Sequence, residues 1–285
     1  MSEIEKYIAP DTVSDAVKAL SSGGVTILAG GTDLTPQIDA GRRSHAPTLM
    51  NIRRVDDLSG ITQNKGETRI GCLTTVSEIK QSNLAPAILR EAADHFASEQ
   101  IRNAATLGGN ICNASPAGDM INPLLVLDAS VELASWKEGA MEVRREPLRR
   151  FFTGPGKTIK HDNELLIAVV FDTPGPDFVG YFRKSGPRPA LEISTVSVGI
   201  GGDYKDGAFH NVRVAFGAVG PTPLRGKATE AILEGQALTA EVIDKAARAA
   251  QDDATPIDDI RATSWYRTHL IAVFTEELLN NVRQN

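Results

Sequence analysis

Two glycine pairs are the first residues in this chain whose spacing could do chemistry. The run Ile27-Leu28-Ala29-Gly30-Gly31-Thr32-Asp33-Leu34 takes a strand-like stretch directly into paired glycines. With no Cβ in the way, successive backbone N–H groups there can cradle a phosphate without cationic side chains, and Thr32 adds a hydroxyl donor. The second pair lies in Thr106-Leu107-Gly108-Gly109-Asn110, which runs on to Ser115-Pro116-Ala117-Gly118-Asp119. Taken alone, a glycine pair after a strand is more often a simple tight turn. Two in one chain suit a pyrophosphate, which has two negative groups to hold. Phosphate would repel Asp119, so its sensible target on such a ligand is a sugar hydroxyl. It is equally placed to cap a helix beginning at Met120 or Ile121. Neither pair fits Gly-x-Gly-x-x-Gly, so a Rossmann site is not expected.

What is missing narrows the chemistry further. There is no Gly-Lys-Ser/Thr phosphate loop, no Gly-x-Ser-x-Gly elbow and no His-Glu-x-x-His. The five histidines show no metal-ligand spacing, and two cysteines, Cys72 and Cys112, cannot build a disulfide framework, a structural zinc site or an ordinary iron–sulfur cluster. No metal ligands are expected. Across 285 residues, 30 Lys and Arg face 36 Asp and Glu for a net charge of −6, which argues against a nucleic-acid partner. Arg144, Arg145, Arg149 and Arg150, with Glu142 and Glu146 among them, read as a solvated face. No apolar run approaches the ~18–20 residues a membrane span needs. The charged start lacks the apolar centre of a secretory signal, so a cytoplasmic location is expected.

The elements that must position these loops read as follows. Ser14 caps a short helix to Leu20, strands follow at 25–29 and 48–52, and a helical turn covers 34–40, making a compact α/β unit. From residue 58 the pattern changes: a strand at 68–72, a helix at 85–96 with apolar 3-and-4 spacing, a long loop from Leu107 to Asp119, an apolar run at 124–127, and strands at 131–135 and 164–171. Thr173-Pro174-Gly175-Pro176 reads as a boundary. Beyond it come strands at 179–183, 193–200 and 212–218, then helices at 224–233, 240–250 and 264–282, an α+β pattern of a three-stranded sheet covered by helices. Leu270, Phe274, Leu278 and Val282 on the last helix read as core.

The segment Ser98-Glu99-Gln100-Ile101-Arg102-Asn103-Ala104-Ala105-Thr106-Leu107-Gly108-Gly109-Asn110, continued to Asp119, closely resembles the FAD-binding subunit of the molybdenum hydroxylases, the xanthine dehydrogenase and carbon monoxide dehydrogenase relatives. Leu28 to Leu34 resembles that family's first pyrophosphate loop. The stretch Gly217 to Arg225, and Ile257-Asp258-Asp259-Ile260-Arg261-Ala262 with Tyr266-Arg267, resemble its C-terminal domain, so the likeness covers nearly the whole chain. It implies a two-part FAD-binding domain of the vanillyl-alcohol-oxidase type, 1–57 and 58–173, followed by an α+β C-terminal domain, 174–285. FAD would be bound non-covalently. Leu28, Ala29, Gly30, Gly31, Thr32, Asp33, Leu34, Thr106, Gly108, Gly109 and Asn110 would hold the pyrophosphate, and Asp119 the ribitol or ribose. Phe96 and Ile167 would lie against the flavin ring and Lys184 near it.

The same resemblance implies an electron-transfer role without catalytic acid, base or nucleophile. Electrons would come from 2Fe-2S centres on a small partner subunit, after hydroxylation on a large subunit carrying the molybdopterin cofactor. An external acceptor such as NAD, oxygen or a quinone would receive them, within a heterotrimer that pairs into a hexamer. The rivals are a stand-alone flavin reductase of the same fold and a flavin-free interaction subunit. The substrate of the whole complex is left open.

Overall fold

A computed structural model describes residues 4–188 and 192–284. The first unit is β1 (Lys6–Ile8), α1 (Val13–Ser21), β2 (Val25–Leu28), α2 (Leu34–Asp39) and β3 (Thr48–Asn51), with the strands parallel in the order β1-β3-β2. The cap of α1 is Thr12, two residues ahead of the expected Ser14. Its Oγ1 accepts the Asp15 N–H at 3.1 Å, satisfying one of the helix's orphan donors. Ala16, Val17 and Leu20 are the buried stripe of α1.

The second unit holds β4 (Ile61–Asn64), β5 (Glu67–Gly71), α3 (Val76–Gln81), α4 (Ala87–Asp94), α5 (Glu99–Arg102), α6 (Leu107–Asn113), α7 (Ile121–Val126), β6 (Ser130–Lys137), β7 (Ala140–Pro147), β8 (Phe152–Gly154), β9 (Lys157–Thr158) and β10 (Glu164–Asp172). Its main sheet is antiparallel in the order β4-β5-β10-β6-β7, and β8 pairs with β9. The centre strand β10 is buried from Glu164 to Phe171, as its unbroken apolar run demands.

Two sequence expectations change here. Leu107–Asn113 is a helix, not a loop. Thr106 caps it through the Gly109 N–H, and Ala114 ends it in the left-handed region at φ 49°. The Arg144–Arg145 stretch is strand β7, not merely a solvated face. Arg144 forks onto Glu164 at 2.6 and 2.9 Å, and Arg145 reaches Glu67 and Glu132. Charge alternation concealed a strand whose cations are spent across the sheet.

The third unit is β11 (Phe178–Ser185), β12 (Val196–Lys205), β13 (Ala208–Gly217), β14 (Leu224–Arg225), α8 (Lys227–Leu233), β15 (Gln236–Ala237), α9 (Ala240–Asp252) and α10 (Ser264–Arg283). The three long strands expected here pair antiparallel, the second starting at Val196 rather than at 193, and the two-residue β14 and β15 both join β13. The helix expected from Leu224 therefore begins at Lys227. Leu270, Phe274, Leu278 and Val282 of α10 are core.

Two apolar cores result. One runs continuously beneath the first two units and takes in Phe182 of β11, whose burial contributes about 1.5–3 kcal/mol. The other lies between the third sheet and its helices. The 254–263 loop is closed by buried Arg267. Its Nη1 donates to Thr195 O and Ala218 O at 2.7 Å, and its Nη2 to Asp259 Oδ1 at 2.7 Å. Burial opposes the ionised form of Asp259. The N–H groups of Arg261 and Ala262 and the Arg267 guanidinium outweigh it, holding the carboxyl at about 2.

Candidate functional site

A cleft of about 780 Å³ opens between the first two units and reaches the start of the third. It is within the range of ordinary cofactor sites. Ala29, Gly30, Gly31, Thr32, Asp33 and Leu34 line it from one side. Thr106, Gly108, Gly109, Asn110 and Asp119 line it from another, and Phe96 joins them. Close approach of the two loops depends on Gly30: a Cβ there would lie 2.1 Å from Ala104 O. Gly31 adopts φ 73°, which favours glycine.

The N–H groups of the two turns have different partners. Among the described residues, those of Gly30, Gly31 and Thr32 donate to no protein acceptor. In the second turn, Leu107 N donates to Thr74 O at 3.0 Å, Gly108 N to Cys72 O at 2.8 Å and Gly109 N to Thr106 Oγ1 at 3.1 Å. Gly108 is glycine because a Cβ would meet the Cys72 Cβ at 2.6 Å. The expected second phosphate cradle is thus the capped start of α6, its first donors spent on the protein. What it offers the cleft is side chain: Asn110 lines the cleft, and its Oδ1 is buried with no partner.

Asp119 does not cap the next helix, whose N-cap is Met120. Its Oδ2 accepts from Lys184 Nζ at 2.7 Å, with both side chains at least nine-tenths buried, and its Oδ1 accepts from the Ser194 hydroxyl. Burial pushes the Asp119 carboxyl up, against the pull of the Lys184 ammonium. Lys184 accordingly stands behind Asp119 and lines a neighbouring cleft of about 760 Å³. Leu28 ends β2 outside the cleft wall, its Cδ1 packed toward Gly31. Ile167 is the extra residue where the β10–β6 register shifts, and it is buried in the core. Its neighbours Leu165 and Leu166 supply the aliphatic wall.

Several cleft residues carry no motif. Arg43 and Lys160 bring two cations to it. Their signal in the sequence is slight: one residue of an Arg42-Arg43 pair and a single lysine, both in loops. Cys72 and Cys112 also line it, and burial raises both thiols, which makes them poor nucleophiles. Among the described residues no cluster of three or more His, Cys, Asp or Glu is placed to hold a metal. The cleft therefore offers unspent N–H donors, two cations, an orphaned amide oxygen and an apolar wall of Phe96, Ile101, Leu165 and Leu166. That donor set fits FAD, which joins a pyrophosphate and hydroxyl-bearing sugars to flat apolar rings.

Fold and cleft together define a cofactor-binding flavoprotein with an appended α+β domain. Residues 2–173 match the family model for the FAD binding domain in molybdopterin dehydrogenase, and residues 181–282 that for the CO dehydrogenase flavoprotein C-terminal domain. The chain belongs to this family of FAD-binding oxidoreductase subunits. It is 31% identical to the xanthine dehydrogenase FAD-binding subunit of Escherichia coli O157:H7, over 98% of this chain and 96% of that one. It is 29% identical to the carbon monoxide dehydrogenase medium chain of Hydrogenophaga pseudoflava, over 96% of each. The solved carbon monoxide dehydrogenase from the same organism superposes with a TM-score of 0.91 at 27% identity, covering 98% of this chain and 97% of the other.

Proposed function

We propose that this chain is the electron-transfer subunit of a molybdenum-dependent hydroxylase, carrying FAD in the cleft between its loops. The observation that carries the reading is the pairing of unspent N–H groups at Gly30 to Thr32 with the orphaned Asn110 Oδ1 in one cleft. When bound, FAD supplies the electron relay between a one-electron donor and the final acceptor. The protein's part is to bind, orient and keep water out. Gly30, Gly31 and Thr32 donate to the pyrophosphate, with Arg43 and Lys160 balancing its charge. Asn110 accepts from a sugar hydroxyl. Asp119, held by Lys184 and Ser194, faces the ribityl or ribose side with the lone pairs those two leave unused. Phe96, Leu165 and Leu166 form the dry wall beside the ring, and Lys184 acts on the ring through Asp119.

The partners in this reading are a 2Fe-2S small subunit, which delivers the electrons, and a molybdopterin large subunit, which hydroxylates the substrate. The acceptor is an external oxidant such as NAD, oxygen or a quinone. Residues 1–57 and 58–173 act as the two FAD-binding parts and 174–285 as the C-terminal domain of a heterotrimer subunit. Among the described residues no helix is long and apolar enough to cross a membrane, and two free cysteines suit a reducing cytoplasm. The test is the visible spectrum of the purified chain with cofactor release on denaturation. Flavin bands and about one FAD per chain are expected. A chain that takes up no added FAD, alone or with its partners, overturns the reading; turnover of a substrate without partners points to a stand-alone reductase.

A further inference from the structure

The turn that brings Phe96 to the cleft is held in an unfavourable shape by a side chain outside it. Ala97 adopts φ 40°, in the left-handed region that residues with a Cβ rarely enter. A single guanidinium nitrogen, Arg102 Nη1, donates to Phe96 O at 2.8 Å and to Ala97 O at 3.0 Å. Arg102 lines the neighbouring cleft, Phe96 lines the cofactor cleft, and Ala97 lines both. The guanidinium thus grips the back of the wall whose front carries the aromatic ring. Its helix is fixed in turn: Ser98 caps α5 through the Ile101 N–H, and Ile101 O accepts from Ala104 N and Ala105 N, the backbone against which Gly30 rests.

We propose that Arg102 is a positioning residue for the flavin: by binding two successive carbonyls it holds the strained Phe96–Ala97 turn and so sets the Phe96 ring against the bound cofactor. The inference rests on the reading of this cleft as the FAD site. Hydrogen bonds from a charged donor are about twice as strong as neutral ones, and this pair converges on the one backbone step that needs support. Among the described residues no other donor reaches the Phe96 and Ala97 carbonyls, so without Arg102 the left-handed Ala97 is uncompensated. The turn then relaxes toward negative φ and carries the ring away from the cofactor.

The test uses the full chain, with FAD affinity read by fluorescence titration and the ring environment by the shape of the visible absorption bands. Arg102→Met is expected to weaken FAD binding about tenfold and to alter the band shape. Phe96→Leu is expected to do the same, and the double variant to be no worse than Phe96→Leu alone, because both act on one contact. Adding Ala97→Gly to Arg102→Met is expected to recover affinity, since glycine tolerates the turn unaided. A role in overall stability alone predicts neither the coupling nor the recovery. Wild-type affinity and bands in Arg102→Met, losses that multiply in the double variant, or no recovery with Ala97→Gly each overturn the inference. Should Arg102→Met not fold, Arg102→Lys keeps the charge but ends one bond short of the Nη1 position, which weakens the two-carbonyl grip, and its coupling to Phe96 is read in the same way. A wild-type chain that takes up no FAD instead removes the reading beneath it.

Discussion

Gly30-Gly31 and Gly108-Gly109 both precede or open a short helix and both line the cleft, yet their backbone donors end in different places. The first turn keeps the N–H groups of Gly30, Gly31 and Thr32 free of protein acceptors. The second gives its donors to Thr74 O, Cys72 O and Thr106 Oγ1. In the first turn glycine leaves donors without a protein acceptor and lets the loops touch. In the second it lets α6 lie against Cys72. An identical dipeptide therefore leaves its donors open in one place and serves packing in the other, and the difference lies in which carbonyls the fold brings near.

The largest effect is expected at the end of the second segment. Asp119→Ala leaves the Lys184 ammonium buried and unpaired, which costs about 3–5 kcal/mol. A fall in the denaturation midpoint larger than any loss of flavin marks Asp119 as structural first. Next, Gly108→Ala drives a Cβ into Cys72 and is expected to cost about 1–3 kcal/mol. The FAD affinity of its folded fraction should change only a few-fold. Gly31→Ala is the mirror case. Its left-handed φ costs about 1–2 kcal/mol with a Cβ present, and re-aiming the turn's donors should lower FAD affinity at least as much as stability. If Gly108→Ala loses flavin more completely than Gly31→Ala in titrations of folded protein, the contrast between the turns is wrong.

The smallest effect is a control remote from both turns. Asp259 is depressed to about 2 in the folded protein, so its contribution is present above the ordinary carboxylate value near 4. It is lost as pH falls from there toward 2. Asp259→Asn should cost about 1 kcal/mol at neutral pH, allowing for solvent screening. The difference from wild type should close at low pH in urea titrations, with FAD affinity unchanged.

Much of the architecture was legible because apolar periodicity reports burial directly. The 164–171 run and the Leu270 to Val282 stripe both took their expected places. The 107–119 stretch misled because Gly, Asn and Ser have low helix propensity. The helix there is secured by carbonyls of residues 72 and 74, a tertiary effect that local sequence does not display. β7 was hidden because its alternation is of charges that pair across strands. Loop residues beside each motif line the cleft, whereas the places of Ile167 and Lys184 depend on a bulge and on an ion pair. Arg43 and Lys160 line the cleft without a sequence signal, because neither the Arg42-Arg43 pair nor Lys160 belongs to a motif.

The cleft wall draws on residues from Leu20 to Ile193. A chain emerging from the ribosome presents the Gly30-Gly31 turn first, and the last wall residue, Ile193, follows about 160 residues later. Domains fold as units and in order of emergence, so the first unit must wait, with its donors open to water, for walls not yet made. Cofactor loading is then a late event, and the ligand joins segments made far apart in time. By mass action a bound cofactor stabilises only a chain in which those segments have come together.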